Sequence, residues 1–132
     1  MPTVLFLCVA NSARSQMAEG LARALAPPSF RFWSAGSDPG VLNPLAVAAL
    51  REDRIDISHH RAKGLDEIPL AEVETIVTLC AEEVCPVVPG HVRQLHWPLP
   101  DPALAHGSEA ERLAAFREVR DTLKELVSSL WK

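Results

Sequence analysis

The sequence predicts an α/β fold in three layers, a four-stranded parallel sheet of order 2-1-3-4 with helices on both faces. Three observations carry this. Short β-rich apolar runs without alternation mark strands buried on both sides. Segments of helical period separate most of them. The succession strand, helix, strand, helix, strand, strand, helix requires parallel pairing through crossovers. At 132 residues the chain has room for one domain, spanning 1–132.

Each element has its own justification. Residues 3–9 (TVLFLCV) form the first strand. The helix at 14–26 places Met17, Ala18, Leu21 and Leu25 on one stripe, and Pro27 with Pro28 stops it. Residues 30–35 form the second strand, closed by Gly36. A short helix at 44–51 carries Leu45, Ala48, Ala49 and Leu50, with Asn43 as its cap. Residues 73–79 (VETIVTL) are the third strand and 92–95 a shorter fourth. The longest helix, 108–131, aligns Leu113, Phe116, Val119, Leu123, Leu126, Val127 and Leu130. Ser108 and Glu111 have the spacing of a capping box. In such sheets ligands sit beyond the carboxyl ends of the strands, which directs attention to residues just after 9, 35, 79 and 95.

Composition excludes several functions. Three cysteines are too few for a disulfide scaffold and leave one unpaired. A net charge of −4 argues against a general nucleic-acid binder. No apolar stretch approaches the ~18 residues of a membrane span. The start has no basic region ahead of its apolar run and reads as a strand, not a secretory signal. The expected compartment is the reducing cytoplasm, where cysteines are more often catalytic or metal-binding than structural.

The first strand-to-helix loop carries the chemistry. Cys8 is followed by Val9, Ala10, Asn11, Ser12 and Ala13, then Arg14 and Ser15 at the helix start. A turn of this length aims successive backbone N–H groups at one point beside the positive end of the helix, a concave anion site. The Arg14 guanidinium adds donors matched to a tetrahedral oxyanion. A cysteine at the base of that cup is favoured as thiolate, and thiols in such settings ionise at about pH 3.5–7.5.

VLFLCVANSARSQMAEG strongly resembles the N-terminal motif of the thioredoxin-coupled arsenate reductases, which share the flavodoxin-like fold of the low-molecular-weight tyrosine phosphatases. The likeness continues through SAG at 34–36, NPLA at 43–46, DIS at 56–58, TLC at 78–80, CPVVPG at 85–90, HW at 96–97, DPA at 101–103 and FREVRD at 116–121, in order along nearly the whole chain. The resemblance implies reduction of arsenate to arsenite, with electrons from thioredoxin. Phosphate and sulfate should bind as mimics, and a monomer without cofactor or metal is expected.

Site roles follow residue by residue from the resemblance. Cys8 attacks arsenate held by the loop and Arg14, and Asp101 supplies the proton for the departing water. Cys80 then takes over the oxidation and Cys85 moves it outward, as a Cys80–Cys85 disulfide that thioredoxin reduces. Topology agrees in part, because in the order 2-1-3-4 the first and third strands are neighbours and Cys8 and Cys80 lie at adjacent ends. If residues 80–85 were helical, their end Cα atoms would be roughly 8–9 Å apart. A disulfide needs about 4.4–6.8 Å, so this pairing requires loop. Ser15 is expected to donate to the thiolate, Asn11 to take the left-handed position, and His60 to support the loop.

Departures from relatives matter too. Ala10 stands where relatives usually have glycine, which costs about 1 kcal/mol or more if that position needs positive φ. Ala13 replaces a common cysteine. Some relatives hold potassium near the loop; Asn11, Glu19 and Ser34 match its ligands, but Lys63 stands at the last position, and its ammonium is expected to fill the ion's role. Competing readings are a zinc site from Cys80, Cys85 and His91, a phosphatase on the same loop, and a non-catalytic thiol sensor. The phosphatase reading is weakened by the absence of tyrosine, since such enzymes usually carry tyrosines beside the acid.

Overall fold

The computed structural model describes residues 2–81 and 92–132. Strands β1 (Thr3–Cys8), β2 (Arg31–Gly36), β3 (Thr75–Thr78) and β4 (Arg93–His96) form one sheet. Every pairing is parallel and the order is β2-β1-β3-β4, as the sequence predicts. β1 is buried along its whole length, which a strand with neighbours on both sides and covered faces requires.

The two faces bury different sets. Val4 and Phe6 of β1, Phe32 of β2 and Val77 of β3 pack with Met17, Leu21, Leu50, Phe116 and Leu123. These belong to helices α1 (Arg14–Leu25), α2 (Pro44–Arg51) and α3 (Glu109–Ser128), which share that face. Each such large side chain contributes about 1.5–3 kcal/mol by leaving water. Leu5, Leu7, Ala35 and Ile76 face the other way, against Ile68 and Val73. That face is covered by two 3-10 helices, Leu65–Glu67 and Leu70–Glu72, in the crossover from β2 to β3.

Element ends differ from the sequence reading where local hydrogen bonds compete. β1 stops at Cys8, not 9, because the Val9 carbonyl turns away to accept from the Asp38 N–H at 2.9 Å. β3 starts at Thr75, not 73, because the Val73 N–H closes on the Leu70 carbonyl at 3.2 Å. β4 is shifted one residue on, and the last helix is α-helical to Ser128 and then 3-10 over Ser129–Trp131. Both caps are present. The Asn43 side chain accepts from the Leu45 N–H at 2.9 Å, and Ser108 and Glu111 bond reciprocally at 3.1 and 3.2 Å.

A charged clamp joins α2 to α3. Glu52 accepts from Arg117 and from Arg120 at 2.7 Å, and these hydrogen bonds hold its carboxyl down at about 2. Arg120 also donates to the Ala49 carbonyl at 2.9 Å. The clamp secures the helix whose cap, Asn43, donates its backbone N–H to the Ser12 carbonyl at 2.9 Å. It thereby steadies one wall of the reactive loop.

Candidate active site

The loop from Cys8 to Arg14 is shaped by where its carbonyls go. Those of Val9, Ala10 and Ser12 each accept at 2.9 Å from the backbone N–H groups of Asp38, Gly40 and Asn43. The Asn11 carbonyl accepts from Gln16 Nε2 at 3.2 Å. A trans peptide points its N–H opposite to its C=O, so the N–H groups of residues 10–13 turn away from these supports. The Asn11 N–H shows the result, lying 3.3 Å from Cys8 Sγ. Successive inward N–H groups at the start of a 12-residue helix with no acidic residue in its first turn make an anion-binding nest.

Asn11 takes the left-handed conformation at φ 52°, as the sequence reading expects of a residue that tolerates it. Ala10 does not: apart from glycine, only Asn11 and Arg54 have positive φ among the described residues. The anticipated penalty for alanine at 10 is therefore absent. Close approach is needed instead at Gly36, where a Cβ would lie 2.4 Å from the Val9 carbonyl oxygen.

Cys8 is buried and carries a free thiol. Its sulfur is 2.8 Å from Ser15 Oγ, and Ser15 Oγ accepts from Asn11 Nδ2 at 2.7 Å. Arg14 is buried, with Nη1 donating to the carbonyls of Leu79 at 3.3 Å and Leu99 at 2.9 Å. These bonds tie the guanidinium to the ends of β3 and the loop after β4. Its Nη2 is 3.8 Å from Asp101 Oδ2, so the expected acid and the expected oxyanion ligand are together. The other Asp101 oxygen accepts from the Ala103 N–H at 3.0 Å, capping a 3-10 helix at Pro102–Leu104.

Beside Asp101 opens a cleft of about 550 Å³ walled by Leu99, Pro100, Leu104, Ala105 and Val119 among others. Among the described residues no aromatic ring lines it. Cys80 lies past β3, one strand over from Cys8, and is disulfide-bonded. The expectations for Cys85 and His91 lie outside the described residues.

On the far side of the loop, Ser34 Oγ donates to Glu19 Oε1 at 2.6 Å. Lys63 Nζ sits 3.6 Å from that oxygen and 3.4 Å from Ser34 Oγ, while its backbone N–H donates to Asn11 Oδ1 at 2.9 Å. Burial pulls Lys63 below the ordinary lysine value, and Glu19 opposes it. His60 Nδ1 is 3.1 Å from Gln16 Oε1; burial also lowers His60, again against Glu19.

The sequence matches the low molecular weight phosphotyrosine protein phosphatase family over residues 3–132. An arsenate reductase of Bacillus licheniformis is 43% identical over 127 residues, 95% of this chain and 91% of that protein. The chain belongs to this phosphatase family, among its arsenate reductases. A solved arsenate reductase in the phosphate binding state superposes with a TM-score of 0.84 at 31% identity, covering 98% of this chain and 96% of that one. A thioredoxin-dependent arsenate reductase of Corynebacterium glutamicum gives 0.72 at 30% identity, over 98% of this chain and 62% of that one.

As an arsenate reductase of this phosphatase family, the chain brings Cys8, Asn11, Arg14, Ser15 and Asp101 to one place. His60 and Lys63 stand behind the loop. Sequence reasoning missed Gln16 and the structural need at Gly36. The SQM and SAG segments contained both, but nothing in their spacing separates a buried amide or a crowded glycine from ordinary helix and turn residues. Among the described residues no group of acidic, histidine and cysteine side chains is arranged to hold a metal, and no helix is long and apolar enough to cross a membrane.

Proposed function

We propose that the chain reduces arsenate to arsenite through a three-thiol relay recharged by thioredoxin. The observation that carries this is Cys8 Sγ held between the Asn11 N–H and Ser15 Oγ, at the base of a nest of N–H groups. The Cys8 thiolate attacks arsenic, an As–O bond breaks, and Asp101 protonates the departing oxygen as water. The Cys80 thiolate then attacks the Cys8 sulfur of the adduct. The S–As electron pair passes to arsenic, so As(V) leaves as arsenite, As(III), and a Cys8–Cys80 disulfide remains. Cys85 attacks Cys80, frees the Cys8 thiolate and leaves Cys80–Cys85 for the thioredoxin dithiol to reduce.

The test is arsenate-dependent oxidation of NADPH with thioredoxin and its reductase present. Turnover should require both arsenate and thioredoxin. Arsenate-independent oxidation, or full turnover without thioredoxin, would overturn the reading. Slow hydrolysis of p-nitrophenyl phosphate should accompany it, because phosphate and arsenate share charge and shape, and a chain without tyrosine keeps this reaction minor.

The Lys63 ammonium supplies the charge that a cation would bring to Glu19 and Ser34. Turnover in potassium chloride and in sodium chloride of equal ionic strength should therefore agree within about twofold, as a surface-screening effect alone would give. A potassium-specific gain in affinity for arsenate or sulfate contradicts the assignment.

A further inference from the structure

Three buried polar side chains and the half-buried His60 form an unbroken chain behind the loop to the Cys8 sulfur: His60, Gln16, Asn11 and Ser15. Backbone groups fix the direction of the first three links. The Gln16 amide nitrogen faces the carbonyls of Arg61 at 2.8 Å and Asn11 at 3.2 Å. Carbonyls only accept, so this end is the NH₂ and Oε1 faces His60 Nδ1 at 3.1 Å. His60 therefore carries its hydrogen on Nδ1 and donates.

The same reasoning orients Asn11. Its Oδ1 accepts from the Lys63 backbone N–H at 2.9 Å, a group that only donates. Gln16 Nε2 donates to the same oxygen at 3.0 Å. Asn11 Nδ2 then faces Ser15 Oγ at 2.7 Å; Cys8 Sγ lies 2.8 Å from the same oxygen, and because a thiolate only accepts, Ser15 is the donor whenever Cys8 is ionised. Asn11, Ser15 and Gln16 are completely buried, so no water competes for these links. Hydrogen bonds aligned head to tail polarise one another, and here His60, Gln16 and Asn11 each present a donor to the next residue toward the sulfur.

We infer that Gln16 is a positioning residue for the thiolate: held by His60, its amide sets the sense of a donor chain that ends on Cys8. This rests on the reading of Cys8 as the nucleophile. Gln16 has no contact with the sulfur, and acts through Asn11 and Ser15. Charged and titratable groups around the far end are Glu19 and Arg23 of α1, with His59 and Lys63 beside His60. Arg14 and Asp101 stand at the near end.

The experiment follows iodoacetamide alkylation of Cys8 against pH in the reduced full-length chain, resolved by mass spectrometry of the Cys8 peptide. Gln16→Met keeps the length of the side chain and adds no charge but removes the donor. Its half-maximal alkylation should move up by about one pH unit, a roughly tenfold change in ionisation. Ser15→Ala should shift the profile similarly. The double variant should shift no further than Ser15→Ala alone, because Gln16 works through that hydroxyl; a summed shift would mean general loosening and overturns the proposal. An unchanged profile in Gln16→Met also overturns it. If Gln16→Met does not fold, His60→Ala tests the same chain: it leaves the amide free to turn and should slow alkylation about threefold below the midpoint, an effect absent in the Ser15→Ala background. A wild-type Cys8 that alkylates like free cysteine, near pH 8.5, instead removes the nucleophile reading beneath the proposal.

Discussion

Cys8→Ser is expected to lower arsenate-dependent turnover by about 10⁴-fold or more, the scale on which removing an enzyme nucleophile acts. A serine hydroxyl ionises far above the working pH, and it cannot form the sulfur–arsenic bond whose cleavage carries two electrons to arsenic. The nest, however, is built from backbone. Its carbonyl anchors at Asp38, Gly40 and Asn43 do not involve the sulfur, and Arg14 is held by the carbonyls of Leu79 and Leu99. The variant should therefore still bind phosphate and sulfate within a few-fold of the wild type. Calorimetric titration with phosphate alongside the coupled assay separates the two properties. Residual turnover above about 1% would place the first bond to arsenic on another group, since it exceeds what binding without the nucleophile supports. Cys80→Ser and Cys85→Ser should also stop coupled turnover, but at later steps, and full activity in either breaks the relay there.

Much of this architecture was legible because the dominant force leaves a periodic trace. The uninterrupted TVLFLCV run and the stripe through Leu113, Phe116 and Leu123 each report a buried surface, and the order of elements then limits the topology to a parallel sheet. The place of the candidate site was legible for a related reason: Cys8 and Arg14 bracket the turn where the end of β1 meets the start of α1. What escaped depends on atoms distant in sequence. Gln16 reads as a helix residue until His60 and Arg61 fold back onto it. The β3 boundary moved because Val73 had a local partner in Leu70, a competition that apolar patterning does not record. Whether Ala10 is costly depends on its φ, which the residue type does not give; in the fold Asn11, and not Ala10, takes the left-handed position.

The second large effect is expected at a residue with no functional atoms. A Cβ on Gly36 would lie 2.4 Å from the Val9 carbonyl oxygen and 2.9 Å from the Asn11 nitrogen, so one of the chains must yield by about 1 Å to reach ordinary contact. β2 is poorly placed to move. Gly36 is registered against Cys8 in the ladder, and its N–H donates to the Lys63 carbonyl at 2.9 Å. The loop yields instead, carrying with it the Asn11 N–H that points at Cys8 Sγ. Displacing reacting groups by about 1 Å costs roughly 10²-fold in rate, so Gly36→Ala should lose about two orders of magnitude in kcat/KM for arsenate and weaken phosphate binding with it. Gly40→Ala is the control. It lies on the same wall and donates to the same loop, yet its Cβ would meet only the Ala10 Cβ at 3.8 Å and the Ala10 oxygen at 4.0 Å, which is ordinary contact. That variant should stay within about twofold of the wild type, as surface changes without a new clash usually do. Equal losses in both would assign the effect to general disturbance of residues 36–43. Wild-type kinetics in Gly36→Ala would mean that the cradle does not depend on how closely this backbone approaches the loop.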